Sequence, residues 1–334
     1  MVYSRRIRYV VAGLLSAVPL VFTSATAWAE ESIVIDFVRH GQSIANAGGT
    51  IDTVPPGTEL TETGQQQAQT IADILAQEGH YAGIYASEEV RAVETATPLA
   101  DLLNNVPVQV LPGLNEIGAG IYEGQSVDSL EGILYLLTPI AWTLGAEFVP
   151  IPGSTDPNGI AFDERFGDAV QAIYDSTTGT GGSTPTDVAF SSEGAMATWT
   201  MMNVNNPDFA LLITELLKTG QFIPNTDQVV IEGDPTDGWT LVSFDGQPVP
   251  PASLPTELFV DVRNLIEAPQ FAAYDIYESL LTGDSTTITS AIDGGLSQVL
   301  AATEQFPAAV IGDVVNALGG DLSSAAANLV LSSI

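Results

Sequence analysis

An arginine, a histidine and a glycine stand together at Arg39-His40-Gly41, directly after the run Ile33–Val38. A guanidinium can hold an oxyanion, an imidazole can attack it, and a glycine lets the backbone approach a ligand closely. The run before them is β-branched or aromatic except at Asp36, which predicts a buried strand. In an open α/β sheet, ligands bind just past the carboxyl ends of strands. Ser43 and Asn46 suit the start of the loop or helix that follows. The bland alternative is a core strand followed by an ordinary polar turn.

The elements that must position these residues are legible in order. Leu60 to Gln77 predicts a helix with Thr61 as N-cap, Ile71, Ile74 and Leu75 on one face, and Gly79 as its stop. Tyr81 to Ala86 predicts a strand, and Ser87 caps the next helix. On that helix Arg91 and Thr95 share a face, and Arg91 in the first turn can reach back toward the strand ends. Val106 to Leu111 is a further strand, Phe162 to Tyr174 an amphipathic helix, and Ser176 to Thr186 a loop. Asp187 to Gly194 reads as a strand ending in a turn. Asp208 to Thr219 is a helix, and Gln228–Glu232 with Trp239–Phe244 a hairpin through Asp237-Gly238. Strands alternating with helices predict an α/β, three-layer sandwich with a largely parallel central sheet. Residues 30–249 form its main domain, with an apolar cap insertion over about 125–160. Within it, Gly132 to Val149 is strongly apolar and interrupted by Pro139. A lid over the site and simple packing against the C-terminal helices are both open for this stretch. Residues 250–334 form a helical C-terminal extension, with helices over 259–268, 271–281, 287–302 and 308–318, packed on the domain or holding a protein or apolar partner.

Composition narrows the chemistry. The chain has 334 residues with 41 acidic and 8 basic side chains. Residues 1–29 read as an export signal peptide: Arg5, Arg6 and Arg8, an apolar core from Tyr9 to Phe22, and Ala27-Trp28-Ala29 before Glu30. Ser4-Arg5-Arg6 also permits a twin-arginine signal, and retention of the segment as an anchor is the remaining alternative. Cleavage would leave a net charge of −36, five basic against 41 acidic residues. Such a surface repels nucleic acid and anionic membranes. The five cations are Arg39, Arg91, Arg165, Lys218 and Arg263. The chain has no cysteine and two histidines, so disulfides, thiolate sites and multi-histidine metal sites are excluded.

Residues 33 to about 249 resemble the histidine phosphatase superfamily in its phosphoglycerate-mutase-like branch. Four blocks carry the resemblance: Arg39-His40-Gly41-Gln-Ser with Asn46; Leu60-Thr61-x-x-Gly64 with Gln67-Ala68; Ser87 with Arg91-Ala92 and Thr95-Ala96; and Leu114-x-Glu116 followed by Tyr122-Glu123-Gly124. The resemblance implies a small phosphate ester as substrate and no metal or organic cofactor. It implies His40 as nucleophile, with its other ring nitrogen held by a backbone carbonyl. Arg39 and Arg91 would clamp the phosphoryl oxygens, and Asn46 and the backbone near Gly41 would add neutral donors. Glu116 would protonate the leaving oxygen and later activate water.

Simpler roles stand beside these. Arg91 could pair with Glu88 or Glu94, and Glu123 competes with Glu116. Arg165 reads as a surface ion pair with Asp163 or Glu164, and His80 as a surface residue at the far sheet edge. The chain departs from the family at one point. The family's second histidine, in a His-Gly pair at the end of a later strand, is Glu193 here. Two functions therefore follow: an exported phosphomonoesterase working through a phosphohistidine, or an impaired relative that binds a phosphate ester or a protein.

Overall fold

The computed structural model describes residues 31–178 and 184–331. Residues 1–29, expected to be an export signal, lie outside them, as do residues 179–183 of the 176–186 loop. Strand β1 (Ile33–Arg39) runs through the middle of a seven-stranded sheet, buried at every position but Val34. Its alternation feeds two cores. Ile33, Ile35 and Phe37 join Phe166 and Trp199 on one face, while Val38 joins Ile71, Leu75, Leu99 and Phe190 on the other.

In chain order the elements are α1 (Ile44–Gly48), α2 (Glu62–Glu78), β2 (Ile84–Ala86), α3 (Val90–Leu102), β3 (Val108–Val110), α4 (Leu130–Thr143), α5 (Gly159–Thr177), β4 (Thr186–Ser191), α6 (Glu193–Asn203) and α7 (Phe209–Thr219). Then follow β5 (Gln228–Asp234), β6 (Gly238–Phe244), β7 (Gln247–Pro248), α8 (Leu254–Thr282) and α9 (Ser285–Leu331). The sheet order is β3-β2-β4-β1-β5-β6-β7. The first four strands are mutually parallel, and β5, β6 and β7 add on antiparallel. Helices cover both faces, so the α/β sandwich holds, with its parallel part where the site lies. The register sets the site: Arg39 pairs with Ser191 and Ala86 with Phe190, so the chain leaves β1, β2 and β4 at one edge.

Several local expectations are corrected. Ser87 does not cap α3; the N-cap is Glu89, without a side-chain cap bond. The strand through 187–194 stops at Ser191 and α6 starts at Glu193. Its buried run from Ala195 to Asn203 carries little amphipathic pattern because both sides pack into the protein. The four C-terminal helices are two. Pro269 and Pro307 lie inside α8 and α9, and the break falls instead at Gly283, in the left-handed conformation at φ 68°. α8 is anchored by Arg263 Nη1 donating to the Met201 carbonyl at 2.7 Å and by Phe259 edge-on to Phe209. α9 packs along α8, where the Gly295 backbone meets Ala272.

The apolar insertion folds as α4. Trp142 is fully buried and stacks on Phe162. Ile133, Leu134, Leu137 and Leu144 stay exposed, so only the end of this stretch reaches α8, where Ile266 lies against Gly145. No helix among the described residues is long and apolar enough to cross a membrane.

One close approach holds the turn after β1 down on α2. A Cβ on Gly41 would lie 2.6 Å from the Gly64 carbonyl oxygen, and one on Gly64 would overlap the Gln42 carbonyl. Gly64→Ala should therefore destabilise the protein by about 1–3 kcal/mol, as overpacking does. Thermal unfolding of the two forms checks this; an unchanged midpoint would mean that the contact relaxes freely.

Candidate active site

His40 follows β1 and is almost fully buried. Its Nδ1 lies 2.7 Å from the Gly41 carbonyl oxygen, which can only accept. Its Nε2 lies 2.9 Å from Arg91 Nε, which can only donate. Together the two contacts assign the neutral tautomer with the proton on Nδ1 and a lone pair on Nε2. Burial, then the charges of Arg91 and Arg39, hold its pKa well below the usual histidine value. The ring is thus neutral, with a lone pair on Nε2 able to attack an electrophile.

Arg91 does not pair with Glu88 or Glu94. Glu88 accepts from Asn115 and Glu94 from the Leu60 amide. Arg91 Nη2 instead donates to Glu89 at 2.6 Å and to Ser192 Oγ at 3.3 Å, and Nη1 lies 3.5 Å from Asp52. Sequence reading passed over Glu89, Asp52 and Ser192, because nothing but burial separates Glu89 from its exposed neighbour Glu88.

Arg39 is equally buried. Its Nη1 contacts Gln221 Oε1 and the Ile223 carbonyl at 2.5 Å each and ion-pairs with Glu193 at 3.0 Å. Glu193 also accepts from the Phe222 amide at 2.6 Å. A carboxylate thus occupies the guanidinium expected to meet phosphate. Arg39 Nε has no partner among the described residues.

Glu116 faces the start of α6. Its carboxylate accepts from the Ile117 amide at 2.8 Å and the Gly194 amide at 3.0 Å. Burial first, and then the charge of Glu89, push its pKa up to about 7. A carboxyl so placed can give a proton near neutrality and take one back. Glu123, the competing acid, is spent on the Thr53 amide and hydroxyl. The ion partner of Arg165 is Asp156 rather than the expected Asp163 or Glu164. Arg165 makes a two-pronged pair with Asp156 at 2.7 and 2.9 Å and donates to the Gly113 and Asn115 carbonyls, bracing the loop that carries Glu116. His80 is exposed and stands beside Asp36 and Tyr81, in a cleft lined by none of these site residues.

The backbone donors near Gly41 are already engaged. The Gly41 amide is taken by Thr95 Oγ1 at 3.0 Å and the Gln42 amide by Gln67 at 2.8 Å. The role of Gly41 is close packing. Ser43 caps α1 and Asn46 closes the capping box: its Oδ1 accepts from the Ser43 amide at 3.2 Å and from Asn225 at 3.3 Å. Asn225 also donates to the His40 carbonyl at 3.0 Å, which ties Asn46 to the turn.

A family model described as "Histidine phosphatase superfamily (branch 1)" matches residues 35–204. The PE-PGRS family protein PE_PGRS11 of Mycobacterium tuberculosis is 55% identical over 295 residues, covering 86% of this chain and 49% of that protein. A metal-independent phosphoserine phosphatase of Arabidopsis thaliana is 33% identical over 116 residues, covering 35% of this chain and 42% of that protein. The chain thus spans about half the length of the curated relatives it matches. Among solved structures, one titled "Mycobacterial hydrolase 1" superimposes with a TM-score of 0.50 at 21% identity, over 65% of this chain and 99% of that one, a likeness of fold.

Proposed function

Since this chain belongs to branch 1 of the histidine phosphatase superfamily, we propose that it hydrolyses small phosphate monoesters through a phosphohistidine on His40. The observation that carries the reading is the neutral imidazole, with Nδ1–H on the Gly41 carbonyl and the Nε2 lone pair facing Arg91. In the first step Nε2 bonds to phosphorus and the ester P–O bond breaks. Its electron pair leaves with the alcohol oxygen, which takes the Glu116 proton. In the second step the Glu116 carboxylate takes a proton from water, the oxygen bonds to phosphorus, and the N–P bond breaks. Arg91 must give up its bond to Nε2 as the phosphoryl group enters, and it then meets the equatorial oxygens.

A second reading rests on the Arg39–Glu193 pair. With one phosphate-binding guanidinium already neutralised, the site of an impaired relative would bind phosphate esters weakly and turn them over slowly. The proposal takes the protein as exported, on the basic start and apolar run of residues 1–29.

The apolar insertion bears on substrate class. Tyr135 of α4 donates to the Ile117 carbonyl at 2.7 Å, so α4 adjoins the Glu116 loop. Val54 and Ile121 are exposed on the loops holding Asp52 and following Glu116. Exposed aliphatic groups on so acidic a chain favour an apolar ligand. Assays of aryl and long-chain alkyl phosphates against sugar phosphates test both points. Turnover with a higher kcat/KM for the apolar esters, by about tenfold, is expected. Equal values would remove the lid role of α4, and no turnover of any ester across pH 4.5–8 would favour the impaired relative.

A further inference from the structure

We propose that Glu89 is a positioning residue for this centre, fixing Arg91 against His40 and, by its charge, keeping the transferable proton on Glu116. The inference rests on the phosphoryl-transfer reading above.

Glu89 is fully buried, whereas Glu88 beside it is exposed. A carboxylate in such a place is costly unless surrounded by donors, and an apolar side chain would serve packing as well. It is surrounded by donors. Arg91 Nη2 lies at 2.6 Å, Ser192 Oγ at 2.9 Å and Ser87 Oγ at 3.2 Å, and the Glu116 backbone amide also donates to it. These partners come from the turn after β2, the turn after β4 and the Glu116 loop, so one carboxylate ties the three segments together. With Nη2 held from behind, the guanidinium is turned so that Nε faces His40 Nε2.

The second half concerns charge. The groups facing Glu116 are Glu89 and Arg91 at the start of α3, the Tyr135 hydroxyl of α4 and the amide ends of α6 and its own loop; Arg165 reaches its backbone carbonyl. The phenol stays protonated, because burial and nearby acids hold its pKa well above the usual value. Burial raises the pKa of Glu89 itself, Arg91 and its donors pull it back, and in its charged form Glu89 is the neighbour that favours the protonated form of Glu116. Arg91 and the two amides oppose it, and burial adds to it.

Glu89→Gln and Glu89→Asp in the full chain separate the two effects. The readouts are the pH profile of kcat/KM and a carbon-13 titration of the Glu116 carboxyl, assigned with Glu116→Gln. In Glu89→Gln the descending limb and the Glu116 titration should both move down by about one pH unit, a tenfold loss at pH 8. In Glu89→Asp, which keeps the charge on a shorter arm, the titration should stay while kcat falls about tenfold or more. An unmoved Glu116 titration in Glu89→Gln overturns the charge role. An unchanged kcat in Glu89→Asp overturns the positioning role, and this variant decides that half if Glu89→Gln fails to fold. If the wild-type protein turns over no ester, the hydrolase reading falls, and the titration alone still judges Glu89.

Discussion

Replacing His40 with alanine should abolish phosphoenzyme formation and lower kcat on the order of 10⁴-fold or more, the scale seen when a covalent nucleophile is removed. The expectation follows from the geometry of one ring. Nδ1 is committed to the Gly41 carbonyl, Nε2 carries the lone pair, and burial first, then the charges of Arg91 and Arg39, favour the neutral imidazole. No cysteine exists to substitute, and the other histidine, His80, is exposed away from the site. Brief incubation with labelled ester, followed by quenching, should trap an acid-labile, base-stable phosphoprotein in the wild type. Label that survives in His40→Ala would assign the acceptor elsewhere. The buried ring packs at the end of β1, so thermal unfolding of the variant must accompany the assay.

Glu193→His should be faster than the wild type near neutrality. An ionised carboxylate about 4 Å from the transferring phosphoryl group, at an effective dielectric near 20, costs on the order of 4 kcal/mol. That corresponds to a rate deficit of roughly a thousandfold. The structure adds a second burden: Glu193 holds Arg39 at 3.0 Å, and phosphate must compete for that guanidinium. Acid keeps Glu116 protonated, since that group titrates near 7, so the acid step runs below this pH and fades about tenfold per unit above it. The contacts of His40 to the Gly41 carbonyl and to Arg91 hold it as the neutral ring. Wild-type activity should therefore be weak at pH 7 and rise toward pH 4.5, and Glu193→Gln should bind orthovanadate more tightly at pH 7. Vigorous turnover at pH 7, unchanged in Glu193→Gln, would make Glu193 a spectator that pairs with Arg39 outside the reaction.

The parts of this molecule that are encoded within a few residues could be read directly from the chain. The β-branched run before Arg39-His40-Gly41 is a buried strand, and Thr61 caps α2 through the Gly64 amide. Glu193 stands at the head of α6, beside the end of β4, where the missing histidine was expected. Periodicity and capping are local, so they survive without knowledge of the fold. Partner choice is different. Glu88, Glu89 and Glu94 are all within three residues of Arg91, and local sequence ranks none of them. The parallel register of β2 on β4, and of β4 on β1, buries Glu89 between Ser192 and Arg91 and leaves Glu88 in solvent. The same register puts Thr95 over the Gly41 amide, which turns an expected phosphate donor into a packing contact. The antiparallel pairing of β5 on β1 brings the loop after residue 219 against Arg39, where Gln221 and Ile223 bind a guanidinium expected to be free. The sequence by itself determined which groups are candidates for the chemistry and which histidine is absent. Only the tertiary structure decided which charges already neutralise one another, because burial and distance set ion pairing, and both depend on strands far apart in the chain.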